Sequence, residues 1–165
     1  MSVVLVVGNP RVGSRTRALG DALLGHLLPD GAAAQVLELG EIVGVTFGPR
    51  PAYGSAAFVD PFAAVRSARL LVVATPAYKG SYTGLLKVFF DQFGPGALAS
   101  ATAVPVVVAA SAAHLRSTGA ALTALLGELG ATVPVPPLSI LESDLPAPDA
   151  VATYARKGPL LSLFV

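Results

Sequence analysis

Four short apolar runs constrain this chain more than any other feature: VVLVV (3–7), LLVVAT (70–75), VPVVVAA (104–110) and TVPVPPL (132–138). A strand with one wet face alternates apolar and polar residues, and these runs do not alternate. Such runs suit strands covered on both faces, the situation in a parallel sheet. A fifth, weaker run is AQVLEL (34–39). Helical patterns separate them, over 14–28, 61–68, 83–93 and 118–129. Ser14 and Asp60 suit N-caps, Pro61 suits the first helical position, and Gly130 suits a helix stop. Strand and helix in alternation imply right-handed crossovers with helices on both faces, a three-layer sandwich. Five strands in one domain over 1–165 suggest the order 2-1-3-4-5. That order opens a crevice at the carboxyl ends of strands 1 and 3, where segments 8–16, 75–83 and 110–116 would converge. The loop FGPRPAYGS (47–55) would rim it, and a last helix is expected from Pro148 to Gly158.

Composition narrows the class. Charged residues make up 13%, hydrophobic residues 53%, and the net charge is +1, as expected of a compact folded chain without a basic patch for nucleic acid. There is no cysteine, which removes disulfides and thiolate chemistry and fits a cytoplasmic address. Residues 92–113 carry no charge, a length that spans a bilayer on paper. They contain Gly94-Pro95-Gly96 and Pro105 among small residues, so a loop feeding a buried strand is expected, and no membrane span.

The turn GNPRVGSRTRAL (8–19) follows the first run directly. Free amides at a helix start, the hydroxyls of Ser14 and Thr16, and the cations Arg11 and Arg15 together suit an anion. The plain alternative is a capped turn with solvated arginines. A Walker A loop would need lysine where Ser14 stands, and a dinucleotide loop would need glycine where Pro10 stands. One terminal phosphate, as on a mononucleotide, suits the turn better. In ATPAYKGSYTGLLKVFFDQF (74–93), Pro76 fixes a turn, Tyr78 offers a flat ring, and Gly80 allows close backbone approach. Backbone amides of 78–81 are expected to meet a planar heterocycle.

GNPRVGSRT resembles the phosphate loop of the NADPH-dependent FMN reductase family, and TPAYKGSYTGLLKVFFDQF resembles its flavin loop and following helix. SAAHLRSTGAALTALLGELGATV (111–133) is similar to the branch that reduces flavin for alkanesulfonate monooxygenases. The resemblance covers roughly residues 2–140 in matching order, and it implies a flavodoxin-like fold. It also implies roles by position: Arg11, Ser14 and Thr16 on the FMN phosphate, with Asn9 among the cofactor-binding residues of the same loop, and Pro76, Ala77, Tyr78, Lys79, Gly80 and Ser81 along the isoalloxazine. Arg15, Lys79 and Arg116 are candidates for the 2′-phosphate of NADPH, or else surface charges. Ser111 to His114 would form a third wall. Asn9 stands where serine is usual, Ala77 where many relatives carry Glu, and Ala120 where the sulfonate branch often carries an aromatic.

The implied activity is reduction of FMN by NADPH or NADH, with hydride passing from nicotinamide C4 to flavin N5. The cofactors carry that chemistry, so no catalytic side chain is required. Reduced FMN would go to a monooxygenase partner. Two rivals stay open at this point: a reductase that retains FMN and reduces quinones or azo dyes, and a flavodoxin-like electron carrier. No metal site is expected, because two histidines and scattered carboxylates match no ligand spacing. A homo-oligomer, dimer or tetramer, is also expected. Leu85, Leu86, Val88, Phe89, Phe90 and Phe93 spread over roughly 200° of helix 83–93, more than one sheet face covers. Lys87 and Asp91 would pair within that helix or across an interface.

Overall fold

The structure is a computed structural model that describes residues 1–43, 53–54 and 60–162. Five parallel strands form one sheet: β1 (Val3–Val7), β2 (Gln35–Glu38), β3 (Leu70–Pro76), β4 (Thr102–Ala109) and β5 (Leu138–Leu141). Their spatial order is β2-β1-β3-β4-β5, the order expected from the alternation of runs. A two-stranded antiparallel ribbon pairs Ile42–Val43 with Tyr53–Gly54. The rest of loop 47–55 lies outside the described residues.

The unalternating runs are explained by burial on both faces. Val3, Leu5 and Val7 of β1 point to one side, with Leu70 and Val72 of β3. Helices α1 (Arg15–Leu27), α5 (Pro148–Ala155) and the short α6 (Gly158–Leu161) cover that side through Leu19, Leu23, Val151 and Leu160. Val4, Val6, Leu71 and Val73 point to the other side. There α2 (Pro61–Ser67), α3 (Gly84–Phe90) and α4 (Ala112–Glu128) pack through Phe62, Phe89 and Leu122. Every residue of β1 and β3 is buried.

Helix starts follow their caps. Ser14 Oγ accepts from the Arg17 amide, and Asp60 Oδ1 accepts from the Phe62 and Ala63 amides ahead of Pro61. Gly130, at φ 92°, follows the C-cap Leu129 of α4 as a left-handed stop. The helix expected over 148–158 ends at Ala155, ahead of the separate α6, and the one expected over 83–93 is Gly84–Phe90. Two boundaries differ more widely from the sequence reading. The last strand was expected at 132–138 but occupies Leu138–Leu141, because Pro134, Pro136 and Pro137 cannot donate to a ladder. Only Thr132 makes an isolated bridge there, its carbonyl accepting from Ala103 N–H. Pro105 therefore fits in a central strand, since its missing N–H faces this unpaired proline stretch. The second difference is α4, which begins at Ala112 and not at Thr118, capped by Ser111 Oγ on the His114 amide at 3.2 Å. The segment expected as a loop is the first turn of that helix.

The phenylalanines of α3 also differ from expectation. Leu86, Phe89 and Phe90 are fully buried within this one chain, and Phe93 is 8% exposed. Phe62 of α2 stacks on Phe89 with centroids 5.1 Å apart, and Phe93 meets both rings. Lys87 Nζ reaches Asp91 Oδ1 at 2.6 Å within the helix, and this hydrogen bond raises the lysine pKa above its ordinary value. The phenylalanines are thus covered within the chain, while Leu85 and Val88 of the same helix stay half-buried. At the opposite edge, Tyr154 of α5 donates its phenol to the Pro136 carbonyl at 2.6 Å, and burial pushes that phenol well above its usual range.

Candidate functional site

Three chain crossings meet at the carboxyl ends of β1, β3 and β4. Gly8 N–H donates to the Ala74 carbonyl, and Thr83 Oγ1 donates to the Gly8 carbonyl at 2.6 Å while accepting from the Leu86 amide. One threonine therefore caps α3 and ties the loop after β3 to the loop after β1. Beside this tie lies a cleft of about 290 Å³ lined by Asn9, Arg11, Gly13, Ser14, Arg15, Thr16, Pro76, Tyr78, Val108 and Glu142.

The first loop is held from within and from behind. Asn9 Oδ1 accepts from the Arg11 amide at 2.9 Å, and Asn9 Nδ2 donates to Thr16 Oγ1 at 3.4 Å. Glu38, at the end of β2 and 8% exposed, accepts from the Gly13 amide at 2.9 Å and from Arg17 at 3.1 Å. Arg17 also holds Asp21 at 2.6 Å, so one guanidinium bridges the buried Glu38 and the exposed Asp21. With those contacts made, the amides of Arg15 and Thr16 in the first turn of α1 have no acceptor among the described residues. The Arg11 guanidinium has none there either. Two open amides, a guanidinium and the Ser14 and Thr16 hydroxyls converge where a helix favours negative charge. That donor set fits one phosphate group.

The second loop is a tight reversal. Tyr78 N–H donates to the Ser81 carbonyl at 2.8 Å, and Ser81 N–H returns the bond to Tyr78 at 3.2 Å. Lys79 and Gly80 both have positive φ, 55° and 79°, the signature of a type I′ turn. Glycine suits its position; lysine does not, and such a residue costs about 1–2 kcal/mol. Ala77 N–H donates to the Val108 carbonyl at 2.8 Å. The amides of 77, 78 and 81 are thus spent inside the protein, and only those of Lys79 and Gly80 point away without an acceptor among the described residues. The expectation of a row of ligand-facing amides over 78–81 narrows to these two.

The cleft brings together Asn9, Arg11, Ser14, Arg15, Thr16, Pro76 and Tyr78. Ala77, Lys79, Gly80, Ser81, Ser111 and His114 do not line it. Some of these form a neighbouring wall: Ser117 Oγ donates to the Gly80 carbonyl at 2.6 Å, and the His114 ring stands beside Gly80. Sequence reading missed Gly13, Val108 and Glu142. Gly13 lay inside the quoted loop and was assigned no role, whereas Val108 and Glu142 arrive by sheet topology and carry no local signal.

An α/β domain with a mononucleotide-sized anion cleft at its strand switch point is the class this geometry defines. A family model of NADPH-dependent FMN reductases matches residues 1–144, and the chain belongs to that family. It is 37% identical over 125 residues to the NADH-dependent FMN reductase SfnE of Pseudomonas putida, covering 70% of this chain and 62% of the relative. It is 38% identical over 114 residues to an FMN reductase (NADPH) of Pseudomonas aeruginosa, covering 66% of this chain and 58% of the relative. The chain thus spans under two thirds of those relatives' length. A solved NADH:FMN oxidoreductase, EMOB in its apo form, superposes with a TM-score of 0.77 at 27% identity, over 98% of this chain and 82% of the other.

Proposed function

We propose that residues 1–165 form one FMN-binding domain that catalyses reduction of FMN by NADH or NADPH. The observation that carries this reading is the donor set at the start of α1, sized for a single phosphate and lacking the lysine and metal ligand of a nucleotide triphosphatase. Arg11, Ser14, Thr16 and the open first-turn amides would hold the phosphate. Pro76, Tyr78 and Val108 would give the flat apolar wall beside it, and the Lys79 and Gly80 amides the donors at its edge. When bound, FMN supplies the two-electron chemistry, taking hydride from a nicotinamide ring. The chain's own part is to fix orientation and to present amides where negative charge grows.

His114 moves no proton in this scheme. The ionisable groups lining the cleft are Arg11, Arg15, Tyr78 and Glu142. The resemblance of 111–133 to the sulfonate branch supports delivery of reduced FMN to a flavin-dependent monooxygenase, and family resemblance alone supports a homo-oligomer. No helix among the described residues is long and apolar enough to cross a membrane. The absence of cysteine from the sequence supports the cytoplasmic address proposed here.

The test is oxidation of NADH and NADPH with FMN, FAD and riboflavin as acceptors, alongside fluorescence titration of each flavin. The expected result is micromolar or tighter FMN binding, with riboflavin weaker by about tenfold or more, since each charge-assisted bond contributes roughly 1.5–3 kcal/mol. Equal affinity for FMN and riboflavin would refute the phosphate assignment. Flavin binding without nicotinamide oxidation would identify a carrier.

A further inference from the structure

We propose that Glu142 sets how tightly the cleft holds its phosphate ligand, by competing with that ligand for Arg15. The inference rests on the FMN reading above and adds to it a determinant of affinity and release.

Glu142 follows β5 directly, in a 3₁₀ turn, Glu142–Asp144, and its side chain lines the cleft opposite the start of α1. It is the one carboxylate among the cleft-lining residues, in a site whose other charges, Arg11 and Arg15, are both positive. Arg15 bridges to it twice: Nη2 donates to Oε2 at 3.4 Å, and Nη1 to the Glu142 carbonyl at 3.5 Å. Charge-assisted bonds of good geometry run about 2.7–2.9 Å. These are long, and both side chains are open to water, 67% and 44% exposed. Such a pair is weak and easily exchanged.

A phosphate at the first turn of α1 offers Arg15 an acceptor of higher charge close by. Taking it means leaving Glu142, whose carboxylate then faces the phosphate with no cation between them. Both consequences lower affinity: one contact is lost, and a like charge is left in the cleft. Glu38 does not act this way, because it sits behind the loop, outside the cleft lining, with its oxygens engaged by the Gly13 amide and Arg17. The chain therefore carries a built-in opponent to its own phosphate cradle. An opponent of this kind suits a flavin that must leave after reduction, and not a permanently held one.

The experiment titrates FMN and riboflavin into the parent chain, Glu142→Gln, Glu142→Ala, Arg15→Ala and the Arg15→Ala/Glu142→Gln double variant, with FMN release followed by stopped flow. The expected result for Glu142→Gln and Glu142→Ala is FMN binding tighter by roughly five- to tenfold, at low salt, with slower release. Riboflavin affinity should stay at the parent value. The gain should shrink as salt rises and fall by at least half in the Arg15→Ala background. FMN binding that is unchanged or weaker in both Glu142 variants overturns the inference, as does an equal gain for riboflavin. A parent chain that binds neither flavin overturns the flavin reading and this inference with it.

Discussion

Ser14 does two jobs with one hydroxyl, and Arg11 does one. Ser14 Oγ accepts from the Arg17 amide at the start of α1, and the same oxygen faces the cleft. Replacing it with alanine removes a cap, a loss of about 1 kcal/mol, together with a phosphate donor. Ser14→Ala is therefore expected to lower both the denaturant midpoint and FMN affinity. Arg11→Ala should weaken FMN by tenfold or more and leave the midpoint unchanged, because its guanidinium makes no bond among the described residues. Paired urea melts and fluorescence titrations separate the two cases, and Arg11→Ala that binds FMN like the parent would reduce the loop to a cap. His114 permits an independent test. It stands beside Gly80, outside the cleft lining. Turnover of His114→Asn with bound flavin should stay within about tenfold of the parent, since proton transfer by a side chain contributes typically 10²–10⁴-fold where it operates. A thousandfold fall in kcat would assign this ring an acid–base role.

At the scale of elements, the phosphate loop is shaped by what lies beneath it. Glu38 at the end of β2 takes the Gly13 amide, and the next turn of chain brings Gly40 against the loop backbone. A Cβ on Gly40 would fall 2.5 Å from the Pro10 carbonyl oxygen and 3.1 Å from that of Asn9. Neither atom belongs to a flexible side chain, so the loop itself must shift. Gly40→Ala is expected to lose FMN affinity by at least tenfold and to lower the thermal midpoint by a few degrees, with riboflavin binding much less affected. Unchanged FMN affinity in Gly40→Ala would mean that the loop tolerates displacement. None of this support was legible in the sequence, because AQVLELG reads only as a weak strand followed by a turn. What was legible depended on local chemistry. Strands 3–7 and 70–75 stand out by valine without alternation, and α1 and α2 by their caps. The start of α4 was missed because its first turns bear no apolar stripe: Ala112, Ala113, His114, Arg116 and Ser117 are exposed, and the buried face begins only at Thr118. The late start of β5 was missed because TVPVPPL has an apolar run's composition and a proline's hydrogen-bonding deficit.

For the whole molecule, α3 joins the core to the site. Its apolar surface exceeds what a sheet face alone would cover, and that much was readable from spacing. The covering partner was not readable, because it comes from α2, more than twenty residues earlier, which lays Phe62 on Phe89 at an interplanar angle of 16°. Phe89 also meets Phe90 and Phe93 at 5.3 and 5.4 Å, so four rings close one end of the core under the loop after β3. Leu86 of the same helix packs under Gly8, where an added Cβ would sit 2.8 Å from Leu86 Cδ1. The aromatic cluster thus supports the floor of the site through α3 as well as the fold. Truncating the central ring should leave a cavity that neighbouring elements fill only in part. Phe89→Ala is accordingly expected to destabilise the chain by about 3–5 kcal/mol, read as a lower urea midpoint, while the mass measured by light scattering matches the parent's. An interface role would give the reverse pattern: a parent oligomer falling to a smaller species in Phe89→Ala, with the unfolding midpoint of the separated chain close to that of the parent.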